Sequence, residues 1–182
     1  MILFTLADCI RDQAGDGNAL VTRPAIGVRR FDLCLLVPQG LAETRTGGVA
    51  ARLRAEGLRV ATIALPGPEG PPPDSAPVDD CRLALVLCIE GQPCDGPWLW
   101  WMLGRASVTA RKQALLPVSR RDLARPLTSF RPRIPSLLTG LPWVGWALAV
   151  GDAQPSLWVA PAGSRAETRE AVNLEFWINE RG

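Results

Sequence analysis

Three runs dominated by apolar residues, spaced through the first half of the chain, most constrain its fold. They cover residues 31–37, 58–65 and 83–89. Runs of this length with little polar alternation are typical of strands buried on both faces of a parallel sheet. Between the first two runs, Val49, Ala50 and Leu53 have the spacing of one helical face, and Gly57 stands where a helix commonly ends. This order predicts a β-α-β unit with two parallel strands.

The rest of the chain continues the alternation of strands and helices. We predict a loop at residues 38–48 and a second at 66–77, which is too rich in proline and glycine for a helix or an interior strand. A helix is predicted at 97–110, with strands at 114–118 and 157–160. Ser164 and Glu167 form a capping-box pair that predicts the start of a last helix. Its apolar contacts are expected from Val172, Leu174, Phe176, Trp177 and Ile178.

These elements predict an α/β fold with an open, mainly parallel sheet of five strands. Helices would cover both faces of the sheet, as in flavodoxin-like proteins. The length of 182 residues favours one domain. We therefore expect an N-terminal segment at residues 1–25, with room for a short helix, and a single α/β domain at residues 26–182.

The absence of histidine excludes several kinds of active site. The chain also lacks tyrosine, and Lys112 is its single lysine beside 19 arginines. Without an imidazole there is no Ser-His-Asp triad, no Cys-His pair and no histidine-ligated zinc or haem. Catalysis would have to use carboxylates, cysteine, arginine or the backbone. We expect no metal site and no cofactor.

The cysteines and the apolar stretches bear on the compartment. The chain has five cysteines, Cys9, Cys34, Cys81, Cys88 and Cys94. Their odd number and the lack of a Cys-x-x-C pair predict cytoplasmic thiols, and Cys34 and Cys88 lie in apolar runs where burial is expected. The N-terminus has no basic region before its apolar residues, so no secretion signal is predicted. Prolines break the longest uncharged stretch, residues 134–151, so no membrane span is predicted.

Positive charge is unevenly distributed along the chain. The net charge of +2 does not favour nucleic acid as the partner of the whole surface. Residues 105–133, however, contain eight cations and one acidic residue, Asp122. The simplest interpretation is a solvated basic face. The alternative is a site for phosphate or for an acidic partner, whose affinity would fall steeply with salt.

Ligands of a doubly wound sheet bind beyond the carboxyl ends of its strands. The loops after the first and third strands would bring eight candidate residues to that edge, namely Gly40, Glu43, Arg45, Gly47, Gly48, Glu90, Asp95 and Gly96. The four glycines and Arg45 are predicted to bind a ligand. The glycines match neither the dinucleotide-binding G-x-G-x-x-G pattern nor a P-loop.

The helix predicted at 97–110 opens with a tryptophan-rich stretch. Every residue from position 98 to position 103 is apolar, so packing one face on the sheet cannot cover this part of the helix. The remainder must contact either the C-terminal part of the chain or another protein. Trp98, Trp100 and Trp101 are therefore predicted interface residues, with burial inside the chain as the alternative.

Two adjoining segments resemble part of the TIR (Toll/interleukin-1 receptor) domain family. They are residues 81–88, CRLALVLC, and residues 96–104, GPWLWWMLG. In that family a buried strand leads into a helix that opens with a Trp-x-x-x-Glu-Leu pattern, which Trp98, Met102 and Leu103 match except at the glutamate. Some bacterial members have a second tryptophan and a glycine where Trp101 and Gly104 stand. The resemblance covers residues 31–118.

This resemblance implies a TIR-like α/β domain and a role in bacterial defence or signalling. In enzymatic members the glutamate of the pattern cleaves the nicotinamide-ribose bond of NAD, and Met102 stands at its position. Residues 66–77 replace the family's BB loop and second helix with a shorter, proline-rich segment. Residues 38–40 replace its usual serine and acidic residues. Cleavage of an oxocarbenium-forming bond needs a negative charge that a thioether lacks.

The first hypothesis is a non-catalytic TIR-like module for protein interaction or nucleotide sensing. It would form a homo-oligomer or bind a partner protein. The alternative is an NAD- or nucleoside-cleaving glycosidase or transferase that uses a relocated carboxylate, Glu90 or Asp95, with Glu43 as its partner. A third hypothesis is an anion- or nucleic-acid-binding module that uses residues 105–133.

Overall fold

The computed structural model of the protein describes residues 4–5, 29–38, 43–109, 111–119, 133–147, 156–161 and 171–180. The strands are β1 Phe4–Thr5, β2 Leu33–Val37, β3 Val60–Ala64, β4 Leu83–Ile89, β5 Lys112–Ser119, β6 Trp143–Ala147, β7 Ser156–Ala160 and β8 Val172–Asn173. The helices are α1 Glu43–Ala55, α2 Ala76–Asp79, α3 Pro97–Val108 and α4 Leu174–Asn179, with a 3-10 helix at Ser136–Leu138.

One sheet joins these strands. Seven of them follow one another in the order β3-β2-β4-β5-β6-β7-β8, and β1 pairs with β5 outside this path. The pairs from β3 to β6 are parallel, as is the pair of β1 and β5. The β6–β7 and β7–β8 pairs are antiparallel. The prediction of an α/β fold with a mainly parallel sheet is confirmed.

The predicted set of five parallel strands needs correction. Four predicted strands correspond to β2, β3, β4 and β5, but the predicted fifth strand, residues 157–160, is β7 and runs antiparallel to β6. The strand that continues the parallel part is β6, which was not predicted. Its five residues include Gly145 and follow Pro142, so the local strand signal is weak.

The central strands β2 and β4 are buried on both faces, as their apolar sequences predict. No residue of either strand is more than 5% exposed. Leu35 and Leu85 belong to a hydrophobic cluster that includes residues of α1 and α4. Leu36 and Val86 belong to a second cluster that includes residues of α2 and α3. Because strand side chains alternate between faces, these clusters show that helices cover both faces of the sheet.

Helix α1 is longer than predicted. It begins at Glu43, so the predicted loop at 38–48 ends too late, and Gly47 and Gly48 lie within the helix. Val49 and the other apolar residues of its predicted inner face pack in the first cluster. Gly57 follows the helix with a φ of 83°, which is the conformation that favours glycine at this position.

The proline-rich segment at 66–77 is a loop whose last residues enter the single turn of α2. Helix α3 begins at Pro97, as predicted, and ends at Val108. Proline is tolerated at a first helical position because its missing N–H would have no intrahelical acceptor there. Among the helices of the described residues, none is both long enough and apolar enough to cross a membrane.

Helix α4 begins later than predicted. Its N-cap is Asn173, whose side-chain oxygen accepts a hydrogen bond from the N–H of Glu175 at 3.0 Å. An asparagine cap of this kind satisfies one of the free amides of a first turn. Ser164 and Glu167, the predicted capping pair, lie outside the described residues.

The contacts expected from the last helix are found in part. Leu174 and Ile178 are buried in the first cluster, and Trp177 packs against it half-buried. Val172 belongs instead to β8, and Phe176 is 64% exposed. A helix of six residues has few positions that can reach the sheet, which accounts for the exposed phenylalanine.

Candidate functional site

The carboxyl ends of β4 and β5 bring two polar side chains together. Ile89 and Val118 are paired residues near the ends of these strands, and Glu90 and Ser119 lie next to them. The Ser119 hydroxyl donates a hydrogen bond to Oε2 of Glu90 at 3.2 Å. The Glu90 N–H donates to the carbonyl of Val118 at 3.0 Å, which fixes the turn away from β4. This carboxylate lies at the sheet edge where the sequence predicts it.

Ser119 is the single polar residue that is fully buried among the described residues. A buried hydroxyl is costly without a hydrogen-bond partner, and Glu90 supplies one. This serine was not predicted as a site residue, although a polar residue directly after an apolar run is a recognisable signal in the sequence. Thr5 of β1 pairs with Ser119, so the N-terminal strand adjoins the same edge of the sheet.

Asp95, the second candidate carboxylate, is engaged in the turn before α3. Its Oδ1 accepts hydrogen bonds from the N–H of Gly96 at 2.7 Å and from the indole of Trp100 at 2.8 Å. Gly96 has a φ of 146°, a conformation rare for other residues, and is the N-cap of α3. These contacts fit the turn role of Asp95, and its predicted catalytic role stays a prediction.

The structure does not gather the predicted glycine-rich loop at this edge. Gly40 lies outside the described residues, while Glu43 and Arg45 belong to α1. Gly47 and Gly48 follow the first four residues of α1. Only the first four amides of a helix lack intrahelical acceptors, so the amides of these glycines are committed to the helix. Their binding to a ligand stays a prediction without a loop to support it.

Helix α3 buries one face and exposes another. Met102 has no exposed surface, and Leu99 and Ala106 are almost as buried in the second cluster. Trp98 and Trp100 pack against that cluster half-buried. Burial within the chain therefore covers most of the tryptophan-rich stretch. Trp101 is 39% exposed and remains at the surface.

Neighbouring segments hold the flank of α3 in place. The indole of Trp98 donates a hydrogen bond to the carbonyl of Gly67 at 3.1 Å, which ties the proline-rich loop to the helix. The rings of Trp98 and Trp101 meet edge to face with centroids 6.1 Å apart. Arg105 forms an ion pair with Asp79 of α2 and lies 5.8 Å from the centre of the Trp101 ring. Trp101 is thus fixed in position although it is exposed.

Four exposed residues follow one line along α3, and we call them the α3 stripe: Pro97, Trp101, Gly104 and Val108. Their spacing of three or four places them on one face of the helix. Val108 is 88% exposed. A Cβ atom added at Gly104 would meet nothing within 4 Å, so the surface beside Trp101 is open. Among the described residues, the stripe forms an apolar surface that is exposed to solvent.

Part of the basic segment makes contacts within the chain. Arg105 pairs with Asp79, and a guanidinium nitrogen of Arg111 donates to the carbonyl of that residue. Lys112 donates to the carbonyl of Trp177 and lies over its ring at 4.8 Å. Of the remaining cations of the segment, Arg133 is exposed, and Arg120, Arg121, Arg125 and Arg131 lie outside the described residues. The basic-face hypothesis stays a prediction.

The described cysteines are free and buried, as predicted for Cys34 and Cys88. Burial raises the pKa of Cys81 to about 12, and burial likewise raises the pKa of Cys34, so both remain protonated thiols near neutral pH. Within the described ranges, no group of three cysteine, aspartate or glutamate side chains is arranged to hold a metal ion.

No protein-family model matches the chain, and no curated protein is significantly similar to it.

Proposed function

We propose that this chain is a non-catalytic, TIR-like interaction module that self-associates through the α3 stripe. The observation that carries the proposal is the exposed apolar surface of α3 around Trp101. The TIR-like assignment rests on the sequence resemblance at residues 81–104 and on the order of the strands. The implied role in bacterial defence or signalling belongs to the same proposal.

The strand order supports a flavodoxin-like arrangement. Counted along the chain from β2, the five strands β3-β2-β4-β5-β6 stand in the order 2-1-3-4-5. Flavodoxin-like sheets have this order, with helices on both faces. The antiparallel strands β7 and β8 extend that sheet at the β6 side. A TIR-like domain with an added hairpin accounts for this arrangement.

The surroundings of Met102 support the lack of NAD cleavage. This residue stands where the resemblance implies the catalytic glutamate, and it is fully buried in the cluster between α3 and the sheet. A catalytic glutamate must contact a ligand in an open site, whereas Met102 contacts side chains of the hydrophobic core. At this position there is neither a carboxylate nor space for a ligand beside the side chain.

The α3 stripe has the chemistry of a protein interface. Tryptophan is enriched among residues that dominate binding energy, because its large ring buries much surface at low entropic cost. Gly104 leaves space beside Trp101 in which a side chain of a second copy can insert. Arg105 and Asp79 border the stripe with charges that can form a polar rim.

Light scattering over a range of protein concentrations tests this function. Wild-type protein is expected to exceed the 19.6 kDa mass of one chain as concentration rises, and Trp101→Glu is expected to remain at that mass. Phe176→Glu is the matched control, since Phe176 is an exposed aromatic residue on another helix. The proposal would be contradicted if the wild type stayed monomeric at every concentration. It would also be contradicted if wild type and Trp101→Glu reached the same mass.

The position of Glu90 supports one alternative function, which is cleavage of NAD or a nucleoside. It lies at the carboxyl end of β4, beside β2, where the strand order of the sheet reverses direction. Ligands of doubly wound sheets bind at such a switch point. The test is the release of nicotinamide from NAD. Release by the wild type and by Asp95→Asn, but not by Glu90→Gln, would favour this alternative over the non-catalytic module.

A further inference from the structure

Two buried cysteines lie in contact beside the candidate site. Cys88 is the penultimate residue of β4, and Cys94 lies in the loop that leads to α3. The Sγ atoms are 3.1 Å apart, with the Cys88 thiol donating to the sulfur of Cys94. Cys94 in turn contacts the carbonyl of Leu87 at 3.8 Å. The pair is 1% and 2% exposed.

The loop between the two cysteines is shaped so that Cys94 folds back onto β4. Gly91 has a φ of 76°, which lets the chain reverse directly after Glu90. Pro93 forms a bridge with Arg133, and the N–H of Cys94 donates to the carbonyl of Arg133 at 3.1 Å. These contacts hold the backbone of Cys94 beside the end of β4. These backbone contacts therefore bring the two cysteines next to each other.

We propose that Cys88 and Cys94 form a reversible disulfide when the protein meets a peroxide. A disulfide bond is about 2.0 Å long, so the sulfurs must approach by only about 1 Å. The resulting ring encloses Glu90, the carboxylate of the candidate site. Oxidation would thus fix the loop at the carboxyl edge of the sheet in one conformation.

The reaction balances with hydrogen peroxide as the oxidant. In the first step the sulfur of Cys94 attacks one peroxide oxygen and the O–O bond breaks. A sulfenic acid forms on Cys94, and the departing hydroxide takes the Cys94 proton and leaves as water. In the second step the sulfur of Cys88 attacks the sulfenic sulfur, the S–O bond breaks, and the S–S bond forms. The departing hydroxide takes the Cys88 proton and leaves as the second water. The two thiols lose two electrons and two protons, and the peroxide becomes two water molecules.

The roles of the two thiols follow from their positions. The hydrogen bond to Cys94 and the burial of the strand raise the pKa of Cys88, so this thiol keeps its proton until the second step. Cys94 lies in the loop, and a small peroxide reaches it when the loop opens locally. Because the pair is only 1% and 2% exposed, a small oxidant such as hydrogen peroxide needs a smaller opening of the loop than a larger oxidant does.

Peptide mass spectrometry tests the proposal on the full chain. Trypsin cleaves after Arg82 and Arg105, so one peptide contains Cys88 and Cys94 and no other cysteine. The folded, reduced protein is treated with hydrogen peroxide, denatured, alkylated and digested. The doubly alkylated form of this peptide is expected to fall by about tenfold, replaced by an unalkylated form lighter by two hydrogen atoms. Dithiothreitol before alkylation should restore it.

Cys34 and Cys81 provide an internal control, because both are buried and lie in separate tryptic peptides. They should keep full alkylation under the same treatment. Cys94→Ala should leave Cys88 alkylated after peroxide, which separates a specific disulfide from general oxidation. If wild-type Cys88 and Cys94 both remain alkylated, or oxidise only to sulfinic acids, the proposal is overturned. The peptide test does not depend on self-association through the α3 stripe, so the two proposals fail independently.

Discussion

Met102 lies at the centre of the contact between α3 and the sheet, with no surface exposed to solvent. Its thioether is flexible and fills an apolar site without needing a hydrogen bond. Leu99 and Ala106 border it along the same helix face. At this position, therefore, packing and a charged catalytic group exclude each other.

The substitution Met102→Glu is expected to lower the free energy of unfolding by about 3 kcal/mol or more, because an unpaired carboxyl group would be buried. Met102→Leu, which keeps volume and polarity, should cost less than about 1.5 kcal/mol. Urea unfolding followed by tryptophan fluorescence measures both. A Met102→Glu protein as stable as the wild type would show that the position opens to solvent, and NAD cleavage by it would oppose the packing argument.

Among the elements, α1 shows how a helix can form through glycines. Gly47 and Gly48 lie in its interior, and Gly47 is exposed. Glycine in a helix loses more backbone entropy than alanine, so α1 depends on the packing of Val49 and Leu53 against the sheet. The glycines favour a loop in the sequence, but tertiary packing of the inner face outweighs local helix propensity here.

Gly47→Ala is expected to raise the free energy of unfolding by about 0.5–1 kcal/mol, since a Cβ there would meet nothing within 4 Å. Gly57→Ala is the matched control, because the φ of 83° at Gly57 disfavours any side chain. It should destabilise the protein by about 1 kcal/mol. Thermal unfolding of both variants checks the pair. Destabilisation by Gly47→Ala would mean that α1 does not extend through this residue.

The strands differ in how far the sequence predicts them. The apolar runs of β2 and β4 predict their positions, because a strand buried on both faces has no polar alternation. The direction of β7 is not contained in its own residues. Eight residues separate β6 from β7, and a parallel connection needs about a dozen or more. The antiparallel pairing follows from that distance once β6 is known.

The candidate site, like the strands, can be predicted from the sequence only in part. Glu90 follows a strongly apolar strand, so its place at the carboxyl edge follows from the parallel sheet. Its contact with Ser119 depends on the register between β4 and β5, which the sequence of either strand does not determine. The α3 stripe likewise depends on which side of the helix meets the sheet, and the all-apolar stretch around Trp101 leaves that side undetermined.

At the scale of the whole molecule, one ion pair fastens the amino ends of neighbouring strands. Oδ2 of Asp32 accepts hydrogen bonds from the backbone N–H and the Nε of Arg59 at 2.9 and 3.0 Å, and Oδ1 accepts from Nη2 at 2.8 Å. The Asp32 carbonyl accepts from the N–H of Leu83 at 3.2 Å. Asp32 thereby links the starts of β2, β3 and β4. Burial opposes its ionisation, but the hydrogen bonds and the charge of Arg59 outweigh burial and lower its pKa.

The stability of the fold should therefore depend on pH through Asp32. Because the pKa is lowered in the folded state, the contribution is complete above the unfolded pKa of about 3.8 and is lost as pH falls through the folded pKa. Asp32→Asn is expected to lower the free energy of unfolding by about 1 kcal/mol at pH 7, with the difference from wild type vanishing in acid. Urea unfolding at several pH values measures this difference.

Glu69→Gln is the control for this titration, since Glu69 is exposed in the proline-rich loop. Its effect should be small at every pH, as is typical of surface substitutions away from specific contacts. A difference between Asp32→Asn and wild type that persists undiminished in strong acid would show that the carboxylate charge does not link the strands.

The pairing of β1 with β5 also bears on how the chain is made. Phe4 pairs with Val118, so more than a hundred residues of chain separate the two partners. A ribosome adds residues at about 5–20 per second, and the first strand leaves it many seconds before β5 exists. Closing this loop carries an entropic cost that the contacts of the finished neighbouring strands offset. β1 therefore stays unpaired until β5 has been synthesised, and a nascent chain that ends before β5 cannot form this strand pair.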